Sequence, residues 1–295
     1  MSDRILVCHA EGIGNCIQLS PCLRTLKEVL GYKLDYWHAF GSFKIPKIIP
    51  YVDKWFRGKD IKKIKPEQYV GLVSTAWTKK FLGKVPLKNL TKITPLSMFR
   101  SEVDTYMDIA RYLGVPDDKL IWYGNCTYKK VEDTYDIVMH NGYNPKGTAN
   151  WEIKSYPWYV EVAKMFKESK LSVCSVGAKS EYIFNTVDRT SISLMSSLGL
   201  IKNAKLFIGN DSGLYHCANA LGVTNVVIFT ATSIAKNYDS RFHKFSTIIG
   251  RDDLKCRPCQ SGRRWKNCKT WECKNIHPQI IYKAVMGLLN RTNYT

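Results

Sequence analysis

The chain has few acidic residues and no long apolar run. It contains 25 Asp and Glu against 44 Lys and Arg, which gives a net charge of +19 spread along the whole sequence. No apolar stretch approaches the roughly 20 residues that cross a bilayer. The opening MSDRILVCHA also lacks the basic and long apolar segments of a secretion signal. These absences predict a cytoplasmic protein without a transmembrane segment.

The excess of positive charge indicates a polyanionic partner. Nucleic acid and a phosphorylated glycolipid are the two partner classes that such a charge attracts. The alternative is that the charge only keeps the protein soluble.

The order of strand-like and helix-like segments predicts an α/β fold. The chain has 295 residues, 45% of them hydrophobic, and exceeds the usual length of one α/β domain. Apolar runs alternate with amphipathic segments in both halves, and the polar passage TYKKVEDTYD separates the halves. We expect two parallel-sheet domains, residues 1–130 and 131–295, that face a cleft containing the functional site.

Individual elements follow from their hydrophobic patterns. The first half contains a strand RILVCHA, a loop EGIGN, a helix CIQLSPCLRTLKEVLG, strands KLDYWHAF and YVGLVSTA, and a helix at residues 101–113. The second half contains strands DIVMHNG, KLSVCSVGA, KLFIGN and NVVIFTAT, a helix start at SEYIFNTV, and helices YPWYVEVAKMFKES, SLMSSLGLIKNA and residues 278–290.

The segment KLFIGNDSGLYHCANALG, from Lys205 to Gly222, combines a strand, a tight turn and a helix start. Asp211 or Ser212 is expected to cap the helix, and Gly213 lets a ligand approach the backbone. Amide N–H groups and the positive end of the helix dipole then meet at one point, which favours phosphate.

Four of the ten cysteines form a cluster near the C-terminus. Their spacing is Cys256-x2-Cys259-x8-Cys268-x4-Cys273, and four thiols are the number that a tetrahedral structural zinc site requires. Two disulfides or four free thiols are the alternatives. The segment 256–273 is also rich in Arg, Lys and Trp, so it is expected either to grip a phosphate backbone or to form a solvated knob.

Four segments resemble, in order, the bacterial heptosyltransferase family. They are RILVCHAEGIGNCIQLSPCLRTLKEVLG, KSYPWYVEVAKMF, GNDSGLYHCANALGV and the Cys-rich end. The most specific element is the pattern Asp-Ser/Thr-Gly-x-x-His-x-Ala, which begins here at Asp211. The resemblance implies the GT-B architecture, in which two Rossmann-like domains bind a nucleotide sugar.

Position by position, the resemblance assigns a donor site. Ser212 and Gly213 would cradle the donor diphosphate, with His216 beside it and Asp211 near the donor sugar. The alternative for His216 is a hydrogen-bonded core histidine.

Two further residues are assigned to the donor in the same way. Lys154 matches a family lysine that contacts donor phosphate, with Tyr156 in place of the family tryptophan. Glu181 matches a carboxylate on the nucleotide ribose or base. The alternatives are a solvated surface lysine and a helix-starting glutamate.

The sequence departs from the family at Gly14-Asn15, where the family has Gly-Asp. That aspartate is the expected general base, and asparagine cannot take a proton. Glu11 is the substitute base that we favour, and its alternative role is to cap the following helix.

Together these features predict a nucleotide-sugar-dependent, inverting glycosyltransferase. No Asp-x-Asp pattern occurs, so we expect no catalytic metal. For the acceptor we favour a hydroxymethylated DNA base over a lipopolysaccharide core, because of the charge, the replaced base and the Cys-rich knob. A nucleic-acid-binding protein that has lost catalysis is the third reading.

Overall fold

The computed structural model describes residues 3–9, 12–38, 46–65, 68–74, 97–142, 151–259 and 266–292. The chain divides into two compact units. The first is Met1–Thr127 with Tyr238–Phe242, and the second is Tyr128–Asn237 with His243–Thr295. Both units carry an all-parallel sheet, so the predicted α/β class is confirmed. The domain division expected after residue 130 stays a prediction.

The described strands are β1 Arg4–His9, β2 Lys33–His38, β3 Lys54–Arg57, β4 Gly71–Ser74, β5 Ile137–His140, β6 Val173–Gly177, β7 Val187–Thr190, β8 Leu206–Asn210, β9 Asn225–Phe229 and β10 Ser246–Gly250. The described α-helices are α1 Ile13–Glu28, α2 Glu102–Tyr112, α3 Tyr159–Glu168, α4 Leu194–Asn203, α5 Gly213–Ala220, α6 Ile234–Asn237 and α7 Pro278–Thr292. None of these helices is long and apolar enough to span a bilayer.

The first unit is built on a sheet with strand order β3-β2-β1-β4. In strand β1, residues 5–8 form a run of buried apolar side chains, as a strand covered on both faces requires. The segment Tyr238–Phe242 belongs to this unit because Arg241 pairs with Asp104 at 3.2 Å and lies 3.6 Å from the ring centre of Trp122.

The second unit contains a sheet with strand order β10-β9-β8-β5-β6-β7. The chain enters this sheet at β5 and builds outward first on one side and then on the other, so the strand order reverses between β5 and β8. His140, the last residue of β5, is the register partner of Gly209 in β8. Ligands of open parallel sheets bind outside the carboxyl ends of the strands at such a reversal.

Several sequence-based assignments of elements were wrong. The segment EGIGN is not entirely a loop, because α1 begins at Ile13 after the N-cap Gly12. The segment SEYIFNTV begins no α-helix: the chain makes a 3-10 turn at Lys179–Glu181 and then enters β7. The short strands β3 and β10 were missed, since neither shows a long apolar run or a clean alternation.

Candidate active site

The turn after β8 leaves the start of α5 without a side-chain cap. Ser212 is the N-cap residue, yet its hydroxyl makes no hydrogen bond to the amides of the helix. The predicted side-chain cap is therefore wrong, because Ser212 Oγ instead lies 3.2 Å from Nδ1 of His140. No acidic residue occupies the first turn of α5. The positive end of this helix thus meets no carboxylate of its own first turn, which suits it to an anionic ligand.

Asp211 is buried at the centre of a polar network. Its Oδ2 accepts a hydrogen bond of 2.9 Å from Asn237 and pairs with Lys154 Nζ at 3.4 Å. Its Oδ1 lies 3.7 Å from His216 Nε2. Burial by itself would raise the pKa of Asp211, but the positive charge of Lys154 and the adjacent His216 hold that pKa well below its usual range. Asp211 is therefore ionised across the physiological pH range.

His216 is held by a second histidine. Its Nδ1 lies 2.9 Å from Nε2 of His243, so one of these two nitrogens donates a hydrogen bond to the other. Tyr215 stacks on His243 with ring centres 5.0 Å apart and an angle of 11° between the rings. Since His216 is only 3% exposed, it is a buried, hydrogen-bonded histidine that also contacts Asp211.

His140 joins the turn after β8 to the loop after β6. Its Nε2 lies 3.5 Å from Glu181 Oε2, and that carboxylate also accepts a hydrogen bond of 2.7 Å from the amide of Ala178. Gly177 has φ +130°, and a Cβ there would overlap the carboxylate of Glu181. A Cβ on Gly142 would overlap both His140 and Glu181. These two glycines therefore make room for the His140–Glu181 pair.

Lys154 ends a 3-10 turn that is tied to the strand edge. Thr230, directly after β9, donates a hydrogen bond of 2.5 Å to the carbonyl of Ile153. Tyr156, two residues further on, is buried and donates a hydrogen bond of 2.6 Å to the carbonyl of Ile276. The Lys154 side chain is 16% exposed and faces Asp211. The alternative of a solvated surface lysine is therefore wrong.

In the first unit, Gly14 and Asn15 lie in the first turn of α1. Nδ2 of Asn15 donates a hydrogen bond of 2.7 Å to Oε2 of Glu102, and Gln18 donates a second one of 2.9 Å to the same oxygen. Glu102 is fully buried at the start of α2. The position where the family resemblance expects an aspartate thus carries an amide that is fixed by a buried carboxylate. Glu11 lies outside the described residues.

The structure brings the predicted donor residues together through side chains that the sequence did not single out. Asp211 contacts both Lys154 and His216. His140 connects Ser212 with Glu181. The residues missed were His140, Asn237, His243 and Glu102. His140 had a usable signal, because it ends an apolar strand at the edge where ligands bind. The other three lie in segments whose pattern carries no such signal.

The Cys-rich knob is only partly described. Cys259 and Cys273 are buried beside Ile153 and Ala231, and the backbone N–H of Trp271 donates a hydrogen bond of 3.4 Å to Cys268 Sγ. Burial and the three neighbouring thiols raise the pKa of Cys259 to about 11. All four cysteines of the knob are free thiols, which does not support the disulfide alternative.

The profile of glycosyltransferase family 9 (heptosyltransferase) matches residues 103–269, more than half of the chain. The chain belongs to glycosyltransferase family 9. The matched range includes the turn after β8 and both of the segments that supply Lys154 and Glu181. The resemblance to heptosyltransferases and the assignment as a glycosyltransferase are thereby confirmed.

Solved structures agree with this family at the level of the fold. A family 9 glycosyltransferase from Veillonella parvula matches with a TM-score of 0.75 and 16% identity, over 99% of this chain and 98% of the other. The E. coli ADP-heptose lipopolysaccharide heptosyltransferase II matches with a TM-score of 0.73 and 15% identity, over 98% of this chain and 99% of the other.

A third solved structure is the iron-containing dodecameric glycosyltransferase TibC from enterotoxigenic E. coli. It matches with a TM-score of 0.66 and 14% identity, over 99% of this chain and 77% of the other. These three likenesses support the GT-B fold of the family 9 glycosyltransferase. A comparison with curated proteins found no match.

Proposed function

We propose that this glycosyltransferase transfers a heptose-type sugar from a nucleoside diphosphate donor to a phosphorylated carbohydrate of the lipopolysaccharide-core class. Its family is described as heptosyltransferase, and a protein similar over nearly the whole chain is an ADP-heptose lipopolysaccharide heptosyltransferase. The net charge of +19 suits an acceptor that carries phosphate groups. An ADP-sugar is accordingly the donor that we expect.

The observation that carries the proposal is the combination of a helix start without a side-chain cap and a lysine at the same turn. Lys154 pairs with Asp211, which directly precedes the N-cap Ser212 of α5. The amides of Ser212 and Gly213 would bind the donor diphosphate. Lys154 would then stabilise the negative charge that develops on the leaving phosphate oxygen.

Asp211 and His216 act mainly by position in this proposal. The Asp211 carboxylate is engaged by Lys154, Asn237 and His216, so it orients the lysine towards the phosphates. Glu181, held beside His140, is the acceptor for a hydrogen bond from the nucleoside. These roles extend the donor site over the ends of β5, β6 and β8.

The chemical step is a direct displacement with inversion. The acceptor hydroxyl oxygen forms a bond to the anomeric carbon of the donor, the bond from that carbon to the diphosphate oxygen breaks, and the hydroxyl proton passes to a base. Glu11 remains the base that we propose. Asn15 donates its N–H to Glu102, so its side-chain carbonyl is the end that would accept a hydrogen bond from an acceptor hydroxyl.

A structural metal in the Cys-rich knob is a separate part of the proposal. Four thiols are a suitable donor set for zinc or iron, and TibC is described as iron-containing. Burial and the neighbouring thiols raise the pKa of Cys259 and of Cys273. Among the described residues, however, the thiols do not form a close group of three ligand atoms. Metal binding would require these side chains to close up, and no catalytic step depends on it.

Transfer to a hydroxymethylated DNA base is the second candidate, because the net charge favours it. The comparisons give it no support. A surface cavity of about 500 Å³ beside the knob is lined by Glu152 and Glu272 together with Trp158, Trp271 and Lys274. The two carboxylates make this cavity a poor site for a phosphate backbone.

The test offers both acceptors to the full-length enzyme with ADP-heptose and follows the mass of each acceptor. A heptose-sized gain on heptose-deficient lipopolysaccharide, and none on hydroxymethylcytosine DNA, supports the proposal. A gain on DNA alone overturns the acceptor assignment. Absence of nucleoside diphosphate release with either acceptor overturns the catalytic proposal. The variant Glu11→Gln in the same assay tests the proposed base. If Glu11 takes the acceptor proton, kcat should fall strongly while the donor KM changes little.

A further inference from the structure

Three side chains with metal-binding atoms meet in the core of the first unit. His9 and His38 are the last residues of β1 and β2, and they are register partners in the parallel sheet. Register partners on neighbouring strands project from the same face. Cys16 lies one turn into α1. All three are buried, with exposures of 0%, 2% and 0%.

The three side chains are close enough together to share one metal ion. The ligand atoms of the three residues all lie within 4.8 Å of one another, and no other such group occurs among the described residues. Cys16 Sγ lies 3.4 Å from His9 Nδ1. In a tetrahedral zinc site the distance from a thiolate sulfur to an imidazole nitrogen is about 3.6 Å, given the usual bond lengths.

The surrounding hydroxyl groups fit outer-shell positions. His9 Nε2, the nitrogen that faces away from Cys16, lies 3.5 Å from Tyr106 Oη. A metal-bound histidine commonly uses its second nitrogen in this way, which fixes the tautomer and the ring orientation. Tyr36 Oη lies 3.4 Å from Cys16 Sγ, where its hydroxyl would donate a hydrogen bond to a thiolate.

We propose that His9, Cys16 and His38 bind a d10 cation, Zn²⁺ or Cu⁺, in the core of the first unit. Two imidazoles and one thiolate are ligands that both ions accept. The metal displaces the thiol proton of Cys16, which leaves to solvent, and two neutral imidazole nitrogens complete the set. No change in oxidation state is involved.

The site ties α1 to the ends of two strands. Cys16 directly follows Asn15, so a metal bound to Cys16, His9 and His38 would fix the first turn of α1 relative to the sheet. This role is structural and lies in a different unit from the Cys-rich knob.

The test counts metal ions on the full-length chain after loading with Zn²⁺, or with Cu⁺ under anaerobic conditions, and removal of the excess. Cys16→Ala is expected to bind one ion fewer per chain than the unsubstituted protein. Cys8→Ala is the matched control, since Cys8 is equally buried on β1 and next to His9, and it is expected to keep the full count. Equal counts for all three proteins would overturn the proposal and leave a hydrogen-bonded core cluster.

A second measurement avoids the risk that a variant fails to fold. X-ray absorption at the zinc edge of the loaded, unsubstituted protein reports the ligand shell directly. A shell that contains nitrogen as well as sulfur is expected, since the knob supplies only thiols. A pure sulfur shell would mean that zinc occupies the knob alone, which rejects the site at His9, Cys16 and His38.

Discussion

The helices that follow β1 and β8 begin in the same way and differ in what surrounds their first turn. Neither α1 nor α5 has a side-chain cap, and neither carries an acidic residue in its first turn. At α5 the turn holds the ion pair of Asp211 and Lys154. At α1 it holds the amide of Asn15, fixed by the buried Glu102.

A helix start without a side-chain cap can therefore bind different kinds of ligand, depending on the side chains beside it. A helix start with a nearby lysine suits an anion such as a diphosphate, because both contribute positive potential. A helix start with a fixed amide suits a neutral hydroxyl group, because an amide carbonyl accepts a hydrogen bond without adding charge. In the proposed function, the start of α5 binds the donor, which carries phosphate groups, and the start of α1 contacts the acceptor, which carries a hydroxyl group.

The largest effect is expected from removing the cation at α5. Lys154→Met should lower kcat by about 10²–10³-fold, the usual loss when one group that stabilises transition-state charge is removed. Lys164→Met is the matched control, because Lys164 lies on α3 with a side chain 67% exposed. Steady-state release of nucleoside diphosphate measures both variants. Equal activities of the two variants would contradict a phosphate role for Lys154.

The pH dependence of stability tests whether the ionised carboxylate of Asp211, the partner of Lys154, stabilises the fold. The pKa of Asp211 is lowered in the folded protein, so its contribution to stability is present above the unfolded pKa of about 3.9. That contribution is lost as the pH falls through the folded pKa.

Asp211→Asn should therefore reduce the free energy of unfolding by about 3 kcal/mol at neutral pH, as expected when one partner of a buried pair is removed. The difference from the unsubstituted protein should shrink as the pH falls below about 4. Urea unfolding at a series of pH values measures it. A difference that does not depend on pH would show that Asp211 stabilises the fold by packing alone.

A smaller effect is expected at the glycine that makes room for Glu181. Gly177→Ala places a side chain at φ +130° and against the Glu181 carboxylate, which should cost about 2 kcal/mol of stability and raise the donor KM. Gly287→Ala in α7 meets nothing within 4 Å and should be neutral or slightly stabilising. Thermal unfolding and donor titration compare the two. Similar behaviour of both variants would mean that the Gly177 conformation carries no strain.

The smallest effect is expected at α1. Glu102→Gln weakens the hydrogen bonds from Asn15 and Gln18, because the acceptor loses its charge, and should cost about 1 kcal/mol. If Asn15 contacts the acceptor, the acceptor KM should rise while the donor KM stays constant. A rise in both constants would instead indicate a general loss of structure.

The sequence was most informative where the apolar spacing extends over a whole strand or helix. The strand and helix around Asp211 were predicted because apolar spacing and turn chemistry agree there. Prediction failed at SEYIFNTV and at the short strands β3 and β10, where a few residues cannot distinguish a turn, a helix and an edge strand. The family can be identified from sequence motifs without knowledge of any tertiary contact.

The sequence by itself determined the α/β class, the family, and the strand, turn and helix start around Asp211, because these follow from local periodicity and from residues close together in the chain. Only the tertiary structure decided which side chains share a site. Parallel pairing of β5 with β8 places His140 against Ser212, although the two are far apart in the sequence. Helix packing places His216 against His243. The same is true of His9 and His38, which the register of β1 and β2 makes neighbours. Hydrophobic pattern specifies each element, but the partners of a buried polar group depend on how the elements pack.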